Sequence, residues 1–158
     1  MNKRVAMRSL SPLMAEVLNN AGEVTFTVTG NSMLPLLRHR RDKVCIVKPD
    51  ENNLKKYDIP LFIRKDGKYI LHRIVEVKTD GYVILGDNQC VKEYPVFNSQ
   101  IIGVVKGISR NGKYISCGGF WYMAYCRFWL FAYPFRWLYL RAKQFFIKMI
   151  KFLGDKNR

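Results

Sequence analysis

Glu23-Val24-Thr25-Phe26-Thr27-Val28-Thr29-Gly30-Asn31-Ser32-Met33-Leu34-Pro35 sets how the rest of the chain is read. From Glu23 to Val28 polar and apolar residues alternate, the period-2 pattern of a half-buried strand. Gly30 offers a backbone position open to unusual φ. Pro35 turns Leu34 away from helical geometry. Ser32 therefore lies in a tight turn at the end of a strand rather than inside a regular ladder. A serine in such a place is ordinarily a turn former, so this stretch alone establishes a β element and its exit.

Working outward, strand-like patterning recurs at 43–48, 59–64, 68–78, 82–85 and 101–109. Asp66-Gly67 and Asp80-Gly81 are hairpin signals. Residues 49–56 are polar and read as a loop. No helix-period segment of useful length interrupts 23–116, so the expected fold is mainly β: a curled antiparallel sheet or small barrel. Upstream, Ser11-Pro12 reads as a helix start, with serine capping and proline at the first helical position. Leu13, Val17 and Leu18 give that short helix an apolar face, and Gly22 is its expected stop. A single short helix excludes a helix-turn-helix reader of DNA.

After Gly118-Gly119 the composition changes. Residues 120–135 hold Trp121, Tyr122, Tyr125, Phe128, Trp129, Phe131 and Tyr133 around one Arg127, and Pro134 breaks or restarts the helix. Beyond it Arg136, Arg141, Lys143, Lys148 and Lys151 fall within an arc of roughly 160° at helical spacing, with apolar residues on the remainder. A membrane-spanning helix needs about 20 mostly apolar residues. The longest uncharged run here, from 114 to 126, has 13. The tail is thus expected to lie on an anionic bilayer through residues 120–153, the competing reading being a helical hairpin packed on the barrel or a dimer contact. Three parts follow: an N-terminal helical segment at 1–22, a β domain at 23–117, and a basic, aromatic, amphipathic helical tail at 118–158.

Composition agrees with this division. The chain has 158 residues, 49% hydrophobic and 14% aromatic, which excludes disorder. Its net charge of +15 is uneven: residues 1–113 carry 19 Lys/Arg against 11 Asp/Glu, residues 114–158 carry 8 against 1. Basic excess fits either nucleic acid or a membrane, and basic residues set among Trp, Phe and Leu favour the membrane. No specific nucleic-acid partner is expected. Cys45, Cys90, Cys117 and Cys126 form no C-x-x-C pair, and two histidines are too few for a zinc site. Neither metal nor cofactor is expected, and unpaired thiols favour a cytoplasmic setting. Lys3, Arg4 and Arg8 precede no apolar core, so neither a signal peptide nor an N-terminal membrane anchor is expected.

Four stretches in order resemble the boxes of the signal peptidase I family. Gly30-Asn31-Ser32-Met33-Leu34-Pro35 is similar to the nucleophile box, and 56–62 (Lys-Tyr-Asp-Ile-Pro-Leu-Phe) to the Gly-Asp-Ile-Val-x-Phe strand. Residues 69–75 (Tyr-Ile-Leu-His-Arg-Ile-Val) are similar to the strand carrying the general base, and Gly86-Asp87-Asn88 to the final Gly-Asp-Asn box. The resemblance spans about residues 23 to 107 and departs from the family in Tyr57, where glycine is usual, and in the missing anchor ahead of the serine. It implies a serine endopeptidase with Ser32 as nucleophile and His72 as base, in the Ser-His branch of the family. It also implies an extended peptide or preprotein substrate added as a strand. Self-cleaving SOS repressors share that catalytic fold, but they use a lysine base and a DNA-binding head that this chain lacks.

The chemistry suits these residues. A serine hydroxyl is a weak nucleophile until a base takes its proton, and histidine, with an unperturbed pKa of about 6.5, is mostly neutral at pH 7 without further tuning. His39, in Arg38-His39-Arg40-Arg41, is the competing histidine and reads as solvated surface. By resemblance Asp87 is the acid that orients His72, with a turn-forming aspartate as the equal alternative. Asp58 is the runner-up acid, in a box that is structural in the family. The Ser32 amide is the natural oxyanion donor. The expected setting is peripheral, at the cytoplasmic face of a membrane. A non-catalytic peptide-binding or membrane-adaptor module with the same fold is the alternative from a different class.

Overall fold

The computed structural model describes residues 7–50 and 54–155. It is mainly β, with a helix before the strands and two after them. The order is α1 (Met7–Asn19), β1 (Val24–Thr27), β2 (Lys43–Val47), β3 (Pro60–Ile63), β4 (Tyr69–Leu71), β5 (Arg73–Lys78), β6 (Gly81–Leu85) and β7 (Glu93–Val96). After a short 3-10 turn come β8 (Ile101–Arg110), β9 (Lys113–Ser116), α2 (Phe120–Phe131) and α3 (Tyr133–Asp155).

A six-stranded antiparallel sheet runs β1-β2-β8-β3-β4, with β9 also paired to β8, and a three-stranded sheet runs β5-β6-β7. Register shifts between Cys45 and Ile46 and between Leu61 and Phe62 bend the larger sheet into a half-barrel. Strands β1 and β4 are the free edges at the two ends of that strand order, and residues of both line one groove. The main core lies under α1, where Met14 and Leu18 meet Val44, Ile46, Leu61, Val105 and Ile108. A second cluster of Phe62, Ile74, Tyr82, Ile84 and Val96 joins the two sheets.

Several expectations meet their structure here. The alternation of Glu23–Val28 appears as β1, with Val24 and Phe26 half-buried and Thr25 and Thr27 exposed. Both Asp-Gly pairs close hairpins, β3–β4 and β5–β6. The helix, however, begins at Met7, four residues ahead of Ser11, so Ser11-Pro12 does not start it. It ends as expected near Gly22, in a Schellman arrangement: the Gly22 N–H donates to Val17 O (2.9 Å) and Ala21 N–H to Leu18 O (3.2 Å). Ala21 takes the left-handed φ of 56° there, while Gly22 is required by space, since a Cβ would stand 2.7 Å from Val17 O.

The single strand expected at 68–78 is two strands in different sheets. Its residues do not alternate; His72, Arg73 and Ile74 are all buried, because the chain crosses between the sheets at His72. Strand β9 lies within the expected β domain but beyond the last expected strand at 101–109, and it is reached through an Asn111-Gly112 hairpin turn with φ of 50° and 78°. The tail itself is helical, and α2 packs on the β domain with Tyr122 and Cys126 buried.

Candidate active site

Ser32 follows β1 in a run of turns. Gly30 has φ 93° with open space where a Cβ would be, so conformation rather than crowding calls for glycine there. Downstream, Asp42 ties the end of the loop. Its fully buried carboxylate accepts from the Arg38 N–H (2.9 Å), Arg41 Nε (2.7 Å) and Arg110 Nη2 (3.0 Å). Burial alone would raise its pKa, but the Arg41 and Arg110 hydrogen bonds outweigh it and hold the carboxyl well below its ordinary value.

The Gly86-Asp87-Asn88 loop supports Ser32 from the other side. The Asn88 N–H donates to Ser32 O (2.7 Å), and Asn88 Nδ2 to Asn31 O (3.2 Å). A Cβ on Gly86 would stand 2.9 Å from Ser32 O, so only glycine lets the loops approach. Among the described residues the Ser32 N–H donates to no protein group, which leaves it available to an oxyanion.

His72 sits at the crossing between β4 and β5, 1% exposed, edge-on to Phe62. Its Nδ1 lies 3.0 Å from Glu93 Oε1. A carboxylate can only accept, so the ring proton belongs on Nδ1 and Nε2 keeps its lone pair. Glu93 is in turn held by Arg64, whose Nη2 donates to Oε1 at 2.7 Å. Burial pushes the His72 pKa down, Glu93 pulls it back up, Arg64 adds to the fall, and the balance lies below the ordinary value. Burial also opposes ionisation of Glu93, but Arg64 more than offsets it and the carboxyl stays below its usual range, with His72 contributing in the same direction.

Of the residues singled out from sequence, Ser32 lines the groove between β1 and β4, whereas His72 follows the end of β4, is buried and does not line that groove; no hydrogen bond joins their side chains among the described residues. Asp87 makes no hydrogen bond to His72. Its carboxylate forms a two-pronged pair with Arg73, Nε to Oδ1 at 2.9 Å and Nη2 to Oδ2 at 2.8 Å, both side chains buried. The acid on the histidine is Glu93, which the sequence reading missed; it lies on β7, a strand that Pro95 disguises. The position of Glu93 within the sequence offered no signal for it.

His39 is exposed, and its Nδ1 accepts from the Gly30 N–H (2.9 Å), so it braces the serine turn. Asp58 accepts from the Lys55 N–H (2.7 Å) and closes a local turn. Tyr57 takes φ 87°, a conformation natural to glycine, and its carbonyl accepts from Arg73 Nη1 and Tyr122 Oη, each at 3.2 Å.

The groove beside Ser32 has a volume of about 120 Å³ and is walled by Phe26–Thr29 of the β1 side and Tyr69–Leu71 of β4. Two sheet edges facing one another present unpaired backbone donors and acceptors, which an extended chain laid between them would satisfy. Among the described residues no cluster of His, Cys, Asp and Glu could hold a metal ion. In comparisons with known proteins, no family model matches the chain and no curated protein matches it.

Proposed function

We propose that the chain is a serine endopeptidase of the signal peptidase I type, cutting an extended signal- or leader-like peptide at a membrane surface. One observation carries this reading: Ser32 borders a groove between two free strand edges, and β4, one of those edges, runs directly into a buried histidine whose Nδ1 faces a carboxylate. The peptide would enter as a strand between β1 and β4, with main-chain bonds giving affinity and alternate side chains giving specificity.

Ser32 Oγ attacks the scissile carbonyl while His72 Nε2 takes its proton. Glu93 stabilises the imidazolium so formed, and Arg64 keeps Glu93 ionised. The Ser32 N–H donates to the oxyanion. On collapse, His72 returns the proton to the leaving amine; water, deprotonated by the same nitrogen, then frees the acyl group from Ser32. General-base assistance of this kind contributes typically about 10²- to 10⁴-fold.

The membrane part of the proposal rests on which way the tail faces. Arg136 of α3 turns inward, while Phe128, Phe131, Phe135, Leu138, Tyr139, Phe145 and Phe146 are exposed, with Arg127, Arg141 and Lys143 among them. An outward aromatic face with basic residues suits anionic lipid. No described helix is long and apolar enough to cross a membrane. All four cysteines are unpaired, in keeping with the reducing, cytoplasmic side.

The test compares new protein N-termini in cells carrying the wild type, Ser32→Ala, His72→Ala or His39→Ala. Cleavages lost in the first two variants and kept in His39→Ala are the expected result. No difference among the four strains favours the second reading, a peptide-binding module that keeps the groove without cutting. That reading draws on the lack of a Ser32–His72 side-chain hydrogen bond among the described residues.

A further inference from the structure

The C-terminal helices reach the nucleophile through a chain of hydrogen bonds. Trp129 Nε1 on α2 and Arg136 Nη1 on α3 both donate to the Asp87 carbonyl, at 3.2 and 2.5 Å. The next residue along, Asn88, holds Ser32 O by its N–H and Asn31 O by its side chain. The Arg136 guanidinium lies 3.8 Å from the Trp129 ring centroid, and Trp129 stacks on Tyr125. Tyr125 Oη is 3.4 Å from the Asp87 carboxylate that Arg73 pairs. Asp87 is thus gripped from both ends, its carboxylate from β5 and its carbonyl from the tail.

This grip has a cost. Arg136 Nε is buried without a hydrogen-bond partner, and the group is desolvated enough to lower its pKa. A buried N–H without a hydrogen-bond partner is destabilising, so a tail that merely needed to pack would do better with an apolar residue. What the guanidinium achieves is a fixed carbonyl at Asp87, and with it a fixed register between the Asn88 and Ser32 backbones.

We propose that Trp129 and Arg136 are positioning residues for the nucleophile, so that α2 and α3 belong to the catalytic unit and are not only a means of attachment. The proposal rests on the peptidase reading for its consequence in catalysis, but the mechanical coupling stands or falls by itself. The backbone contact lies on the peptide that carries the Ser32 carbonyl, one bond from the Cα that aims Oγ. Loosening it changes how often Oγ meets His72, not how the peptide groove binds.

Full-length protein with Arg136→Ala, Arg136→Lys or Trp129→Phe is compared with wild type in two measurements. The first is amide hydrogen exchange resolved at Asn88, with thermal unfolding alongside. The second is the concentration dependence of Ser32 labelling by a fluorophosphonate, which separates the maximal rate from the half-saturating concentration. Exchange at Asn88 is expected to quicken at least about tenfold in Arg136→Ala and Trp129→Phe, while β5 and β6 amides keep their protection. The maximal labelling rate falls by a similar factor with half-saturation unchanged, and Arg136→Lys, which keeps a donor for the carbonyl, recovers part of both. Unchanged Asn88 exchange in a folded Trp129→Phe protein overturns the coupling, whatever the labelling shows. Absence of Ser32 labelling in wild type counts against the peptidase reading instead, and Asn88 exchange then decides the coupling alone.

Discussion

At the scale of single residues the site turns on which carboxylate serves which cation. Glu93 faces His72, so Glu93→Gln removes a charge that raises the histidine pKa and leaves Arg64, which lowers it, unpaired. The amide can also donate to Nδ1 and shift the ring proton to Nε2, where it blocks the base. Expected are a fall in kcat on the order of 10²- to 10⁴-fold and an acid limb of the pH–rate profile displaced to lower pH. On the proposed mechanism the wild-type limb is itself expected below the ordinary 6.5, because burial favours neutral His72, the form that can take a proton. Asp87 behaves otherwise. Asp87→Ala strands a buried Arg73 without its counter-charge, which costs about 3–5 kcal/mol, and thermal unfolding shows this as a lowered Tm rather than a shifted pH profile. The serine turn and the buried histidine were legible because the residues around each are its sequence neighbours. Glu93 was not, since its link to His72 spans 21 residues and depends on how two strands pair.

At the scale of elements, local chemistry announced the hairpins and hid the crossings. Asp66-Gly67 and Asp80-Gly81 specify turns by themselves, whereas the break at His72 exists only because two sheets claim the two halves of one apolar run. The Asn111-Gly112 turn carried a readable hairpin signal for β9, although the expected strands stopped at 109. That the tail is helical was legible, but not that Arg136, at the edge of its expected basic arc, would face inward. Between elements, Asp42 joins the serine loop to the end of β8 through Arg110. Its carboxyl is held below the ordinary 3.8, so the unfolded chain takes up a proton there before the folded one does. That contribution is full above about pH 4 and is lost as pH falls further. Asp42→Asn is expected to be less stable at neutral pH and to lose less on acidification, measured as urea midpoints at pH 7 and pH 3.

At the scale of the whole molecule, the serine turn and the C-terminal helices meet around the Gly86–Asn88 loop while the outer aromatic face stays exposed. Phe128 and Phe131 are 67% and 78% exposed, so replacing them costs the fold little. Each apolar side chain buried in lipid contributes about 1.5–3 kcal/mol, and 1.4 kcal/mol is tenfold in affinity. Phe128→Ser with Phe131→Ser is therefore expected to weaken sedimentation with phosphatidylglycerol vesicles at least about tenfold without moving Tm. The strand order has a further consequence, in time rather than in space. β8 lies between β2 and β3 and is made after both, so during synthesis the larger sheet has a gap at its centre until residue 110 is available. Ser32 and His72 are translated early and wait unassembled for a strand and a helix that come late. A nascent chain halted after residue 100 is expected to be cut readily by an added protease, and one halted after residue 155 to resist it. On the proposed function, a ribosome-bound chain of this design is expected to stay inactive until its last helices arrive.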